Sequence, residues 1–176
     1  MRKAIRLVVA MVFSLSLMSA GFAGKADEPS VRIQISPSDY FSAESVKVIT
    51  IGEELHLQYS LTNKSAEAVS GLTVILTGYD AKGDVAGRET WLVRTALAAG
   101  SNTTSQLALD LNMSSVEKMK VEFAPVSAAQ IPGCDPSALC KSCSTNAKDI
   151  CGPHGVSSVS CTTGTVCNCS FQCGHP

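Results

Sequence analysis

All eight cysteines of this 176-residue chain (Cys134, Cys140, Cys143, Cys151, Cys161, Cys167, Cys169 and Cys173) lie in its last quarter; positions 1–133 contain none. A chain built this way draws its stability from two sources. The long cysteine-free part must bury an apolar core, whereas residues 134–176 are too poor in large apolar side chains to do so alone. Leu139, Ile150, Val156, Val159, Val166 and Phe171 are the only large aliphatic or aromatic residues there. Such a segment needs covalent or metal cross-links.

The start of the chain decides between these. Arg2, Lys3 and Arg6 precede an uncharged apolar run, Leu7 to Phe22, and small residues at Ala20, Gly21 and Ala23 suit a signal peptidase. Residues 1–23 read as a secretory signal peptide cut after Ala23, since the run is too short and too interrupted for a membrane span. The protein is therefore expected to be secreted or periplasmic, with no membrane span after cleavage. In an oxidising compartment an even, dense set of cysteines reads as disulfides. Eight cysteines leave the pairing open. Cys167 and Cys169 are expected to alternate sides of an extended segment and so to bridge to different partners, pinning two neighbouring segments. Cys140 and Cys143 could bridge each other only in a tight turn.

Two other chemistries compete for the same cysteines. A tetrahedral zinc site could draw on Cys140, Cys143, Cys167 and Cys169, with Cys173, His154 and His175 nearby, although only the first pair has zinc-ligand spacing. A thiol redox role for Cys140-x-x-Cys143 would need a helix N-terminus and a βαβ setting, neither of which is evident.

Ahead of the cysteines the chain alternates with a period of two. After a polar segment at 24–30, Val31, Ile33 and Ile35 share one face of an extended stretch. A second stretch runs from Ser45 to Ile51. In the third, Leu55, Leu57, Tyr59 and Leu61 face one way while His56, Gln58, Ser60 and Thr62 face the other. Leu72 to Tyr79 suits a more deeply buried strand, and Asp80-Ala-Lys-Gly83 supplies a hairpin turn into Arg88 to Thr95, where Trp91 and Val93 share a face. Leu107, Leu109 and Leu111, then Met119, Val121 and Phe123, complete seven strands. No long segment has a helical period, although Thr95 to Ala99 and Ser114 to Lys120 could each form one turn.

This pattern predicts an all-β fold, an immunoglobulin-like or fibronectin type III-like sandwich over residues 31–123 that folds without any disulfide. A proline-containing linker at 124–133 is expected to connect it to a small disulfide-rich module at 134–176. The segments Leu-Thr-Asn-Lys, Leu-Thr-Val-Ile-Leu-Thr-Gly-Tyr-Asp-Ala-Lys-Gly-Asp and Leu-Ala-Ala-Gly-Ser resemble FxLYD-like modules of exported bacterial proteins. Tyr79, Asp80, Gly83, Leu97 and Gly100 carry the likeness, while Leu76 and Gly78 depart from the pattern. The resemblance implies the sandwich fold and an exported, non-enzymatic accessory role.

Function is constrained mainly by exclusion. The chain has 14 basic and 15 acidic residues; losing Arg2, Lys3 and Arg6 with the leader leaves 11 against 15, a net charge of −4. Nucleic acid is thus not an expected partner. His56 sits on a polar strand face, His154 in a Cys-Gly-Pro-His-Gly turn and His175 next to the terminus, with no nucleophile or acid at a suggestive spacing. No catalytic residue, cofactor or cofactor-binding site is expected, and the protein reads as a non-enzyme. Asp80 and Asp84 flank a turn without the alternating ligands of a calcium loop. Asn63, Asn102, Asn112 and Asn168 each begin an Asn-x-Ser/Thr triplet. The expected function is interaction or adhesion with a protein or cell-envelope partner, the sandwich carrying a disulfide-braced recognition module. The alternatives are a secreted inhibitor or toxin-like effector with the tail as active part, and a zinc or thiol redox protein.

Overall fold

The computed structural model describes residues 31–126, 136–162 and 166–174, which form nine strands and one α-helix. The expected leader, the polar segment at 24–30 and most of the expected linker lie outside these residues. Seven strands form the cysteine-free part: β1 (Arg32–Ile35), β2 (Phe41–Ile51), β3 (Glu54–Asn63), β4 (Gly71–Tyr79), β5 (Val85–Val93), β6 (Asn102–Ala108) and β7 (Lys118–Val126). Six overlap the expected stretches, whereas β6 lies earlier than the Leu107–Leu111 alternation and leaves Leu109 and Leu111 outside it. A 3-10 turn at Met113–Ser115, where the Asn112 side chain accepts from Ser114 N, overlaps the expected Ser114–Lys120 turn only at its start, since Lys118–Lys120 belong to β7.

The strands form two sheets. The smaller has the order β2-β3-β6; in the larger, β1, β7, β4 and β5 run side by side, with β1 parallel to β7. The sheets pack face to face because each presents one apolar side. Leu57, Tyr59 and Leu61 of β3 meet Leu72, Val74, Leu76, Trp91, Met119, Val121 and Phe123 in a single core, all of them buried. Tyr59 and Phe123 meet across the gap as a tilted pair with ring centroids 5.3 Å apart. The outer side of the smaller sheet carries Gln58, Ser60, Thr62, Asn102 and Thr104, linked by cross-strand hydrogen bonds such as Thr104 Oγ1 to Ser60 Oγ at 3.3 Å.

Tyr79 closes β4, and Asp80 makes the turn into β5. Its Oδ1 accepts from the backbone N–H groups of Lys82 and Asp84, both at 2.9 Å, and Gly83 takes the positive φ of 88° that closes the turn. At the opposite end of β4, Leu97 is buried and exchanges backbone hydrogen bonds with Val69. This tie lies where the chain crosses between sheets, after β3 and again after β5. Asn63, wholly buried, holds both crossovers. Its Nδ2 donates to the carbonyls of Glu67, Leu97 and Ala98 at 2.9, 3.1 and 3.2 Å. Its Oδ1 accepts from Ser65 N and Ser65 Oγ at 3.0 and 2.7 Å.

The cysteine-rich segment departs from expectation in three ways. It contains a 16-residue helix, α1 (Pro136–Cys151), followed by a hairpin of β8 (Val156–Thr162) and β9 (Val166–Cys173). The hairpin does not stand apart from the sandwich. Strand β9 pairs antiparallel with β5 from Gly87↔Gln172 to Val93↔Val166, giving a continuous six-stranded sheet, β1-β7-β4-β5-β9-β8. The expected linker also starts too early, because Ala124, Pro125 and Val126 still belong to β7, opposite Thr73, Leu72 and Gly71.

Candidate functional site

Why β9 joins the sheet follows from its two faces. In an extended strand, residues two apart point the same way. Cys167, Cys169, Phe171 and Cys173 therefore share one face, which corrects the expectation that Cys167 and Cys169 alternate. That face meets α1, where Cys140, Cys143, Ala147 and Cys151 recur at helical spacing. Cys143, Ala147, Cys151, Cys169, Phe171 and Cys173 form a second buried cluster on the outer side of the larger sheet. Three disulfides fasten it: Cys140–Cys161 to β8, and Cys143–Cys169 and Cys151–Cys173 to β9, with Cα separations of 5.7, 5.8 and 5.2 Å. Closing loops of 21, 26 and 22 residues stabilises the fold by about 3 kcal/mol each in the chain-entropy treatment.

Cys167 is also disulfide-bonded, and Cys134 lies outside the described residues. Cys140 and Cys143 stand on helix α1, not in a tight turn, and each reaches a strand instead of the other. The alternative zinc set of Cys140, Cys143, Cys167, Cys169 and His154 is not assembled, because all four sulfurs are committed to disulfides and His154 lines a different cleft beside Asp80, Asp84 and Glu117. His56 lies on the outer face of β3 with Glu54 Oε2 3.6 Å from its Nε2. His175 lies outside the described residues. Alkylation of the unreduced mature chain, followed by intact-mass measurement, is expected to label no cysteine; incorporation of two or more labels would contradict the bracing assigned to these cysteines.

The inner face of β9 carries Asn168, Ser170 and Gln172. The β5–β9 register sets Glu89 opposite Ser170 and Trp91 opposite Asn168, producing a buried polar seam beneath the sandwich core. Glu89 is fully buried, and Ser170 Oγ donates to its Oε1 at 3.2 Å. Burial, reinforced by the Asp110 carboxylate, pushes the Glu89 pKa up from 4.5 to about 8. The backbone N–H groups of Asp110 and Leu111 approach the carboxyl and oppose that shift, yet Oε2 completes no well-aligned hydrogen bond. Glu89 is therefore mostly a neutral acid at pH 7. Space at the seam is tight. A Cβ on Gly87 would lie 2.7 Å from Phe171 O and collide with the Leu111 side chain, so only glycine lets β9 and Leu111 close on β5 together.

Next to this seam the sandwich is open. A cleft is bounded by Gln106, Leu107 and Ala108 of β6 on one side and by Trp91, Asn168, Val166 and Thr162 of the larger sheet on the other, with Asp110 at its rim. Asn168 Nδ2 donates to Asp110 Oδ2 at 3.1 Å. Because a carboxylate only accepts, this bond fixes the orientation of the amide and turns Asn168 Oδ1 inward, where it is buried without a partner.

The sequence places Trp91 and Leu107 on apolar strand faces but assigns no functional role to Glu89, Asp110, Asn168 or Ser170. Glu89 and Ser170 are 81 positions apart, and nothing local marks Asp110 or Asn168. The one available signal was a charged residue on the apolar-facing side of β5, two positions before Trp91. Of the Asn-x-Ser/Thr triplets, those at Asn63 and Asn168 begin on buried side chains. No family model, no curated protein and no solved structure matches this chain.

Proposed function

We propose that this is an exported, non-catalytic binding protein in which an immunoglobulin-like sandwich and a disulfide-braced segment act together as one rigid recognition surface. The carrying observation is the double attachment of β9, hydrogen-bonded along β5 and cross-linked to α1. A surface fixed this way loses little conformational entropy when it binds.

The strand order supports the immunoglobulin type. The sheets β2-β3-β6 and β5-β4-β7 fit the A-B-E and C′-C-F sets of a fibronectin type III-like domain, with β1 beside β7 where strand G would stand. Kinship with FxLYD-like modules belongs to the same reading. The disulfides suit the secreted or periplasmic location inferred from the leader. Among the described residues no helix is long and apolar enough to cross a membrane. The sharing of one sheet by β5 and β9 favours a joint role over a tail acting alone as inhibitor or toxin, and the committed sulfurs favour bracing over thiol chemistry.

The test is retention of a partner from the secreted or envelope fraction by immobilised mature chain, compared with the same chain reduced and alkylated. Saturable retention that falls at least tenfold after reduction is the expected result. Equal retention by both forms, or a catalytic turnover that survives reduction, would overturn this reading.

A further inference from the structure

The two sheets are unequal, with six strands against three. Strand β6 ends the smaller sheet, and among the described residues no strand pairs with its far side. Its backbone groups there form an open edge across Asn102–Ala108. The larger sheet continues past that edge through β9 and β8. The β8–β9 register puts Ser158, Ser160 and Thr162 opposite Gln172, Ser170 and Asn168, on the inner face, and all three β8 residues are exposed. The molecule thus has a step, with an unpaired strand edge as its wall and a hydroxyl-bearing strand as its floor. The cleft holding Trp91 and Asp110 lies in that step.

We propose that the step receives an extended segment of a partner polypeptide, which adds to β6 as a fourth strand and places a lysine or arginine side chain in the cleft against Asp110. This rests on the binding-protein reading and names the partner's chemistry. Strand addition supplies affinity through main-chain hydrogen bonds, and pockets for alternate side chains supply selectivity. Neighbouring strands lie about 4.8 Å apart and facing sheets about 10 Å apart, so a strand added to β6 runs above β9 and β8 and covers their exposed hydroxyls.

The charge of the incoming side chain follows from the lining. Among Trp91, Gln106, Leu107, Ala108, Asp110, Thr162, Val166 and Asn168, only Asp110 is ionisable. Its Oδ2 is held by Asn168 Nδ2, which leaves Oδ1 for a donor entering the cleft. Gln106 and Thr162 add oxygen acceptors for an ammonium or guanidinium group entering here. A carboxylate would meet Asp110 and no cation among these lining residues.

Trp91 is the only tryptophan, so its fluorescence reports on the cleft directly, and calorimetry gives an independent measure. The oxidised mature chain is titrated with three probes: a capped Thr-Lys-Thr-Lys-Thr-Lys-Thr peptide, its glutamate counterpart, and the lysine peptide N-methylated on alternate residues. Saturable binding of the lysine peptide is expected, at least tenfold weaker for the N-methylated form and absent for the glutamate form. Asp110→Asn, which keeps an oxygen for Asn168, should weaken it at least tenfold. Thr162→Arg, at an exposed position, should abolish it by occupying the cleft with a cation. No saturable binding of the lysine peptide, or equal binding by Asp110→Asn or by the N-methylated peptide, overturns the proposal. A natural partner retained equally by wild type and both variants would overturn the step as its site while leaving the binding-protein reading intact.

Discussion

Glu89→Gln is expected to stabilise the protein at pH 8 and to do little at pH 4.5. The sign follows from the direction of the shift. Folding raises the Glu89 pKa from 4.5 to about 8, so between those values the folded state holds a proton that the unfolded state has released. Stability therefore falls as pH rises through this window and levels off above it. Each pKa unit corresponds to about 1.4 kcal/mol, which makes the loss on the order of 4 kcal/mol across the window. Glutamine keeps the oxygen that accepts from Ser170 Oγ and never ionises, so the variant escapes the loss. Urea unfolding of both proteins at half-unit pH steps measures this as a widening gap between two curves. Curves that run parallel from pH 4.5 to 8 would mean that Glu89 is not held neutral at the β5–β9 seam.

Asn63→Ala is expected to destabilise the protein by about 2–4 kcal/mol, a large effect for one polar residue. The side chain is fully buried, and its two N–H groups are shared among three carbonyls from two different crossovers. Some of those carbonyls keep other partners, since Leu97 O also accepts from Val69 N and Ala98 O from Ser101 N. Ser65 N loses the acceptor it has in Asn63 Oδ1, and a cavity opens where the amide was. Asn63→Asp separates cavity from polarity: it fills the volume but turns a carboxylate toward the three carbonyls, and should cost at least as much near pH 7. Thermal unfolding at one fixed pH measures both. A midpoint for Asn63→Ala within about 1 °C of wild type would show that the crossovers are not tied through this side chain.

Both residues show where the sequence was readable and where it was not. Six of the seven sandwich strands are legible because each turns a two-residue alternation toward a single core, as Leu55 to Leu61 does; β6 is not, since it precedes the leucine alternation and shares only Leu107 with it. Helix α1 carried an equally regular signal, with Cys140, Cys143, Ala147 and Cys151 at helical spacing. Taking the cysteines as cross-links alone hides it, because they are buried apolar side chains as well. Counting Cys143 and Cys151 with Ala147 and Ile150 gives a stripe that Gly152 and Pro153 then terminate. Strand β9 was harder to place, since its inner face is polar and its partners, Glu89 and Asp110, precede it by more than 50 positions. That polarity read as surface and is in fact a seam, and only the register with β5 brings Glu89 to Ser170 and Trp91 to Asn168. The same polarity makes the tail look separate behind a linker. Its poverty in large apolar residues signalled a need for bracing, but it also meant that β9 borrows its inner cover from the sandwich.

The most direct measurement of this shared sheet is native-state hydrogen exchange of the β5 amides in the oxidised mature chain. Those of Gly87–Val93 that point toward β9 should exchange as slowly as those that point toward β4, and after reduction they should become fast while the β4-facing set stays protected. Fast exchange of the β9-facing amides in the oxidised chain, with α1, β8 and β9 themselves protected, would contradict the account, because the cysteine-rich segment would then be a separate body beside the sandwich.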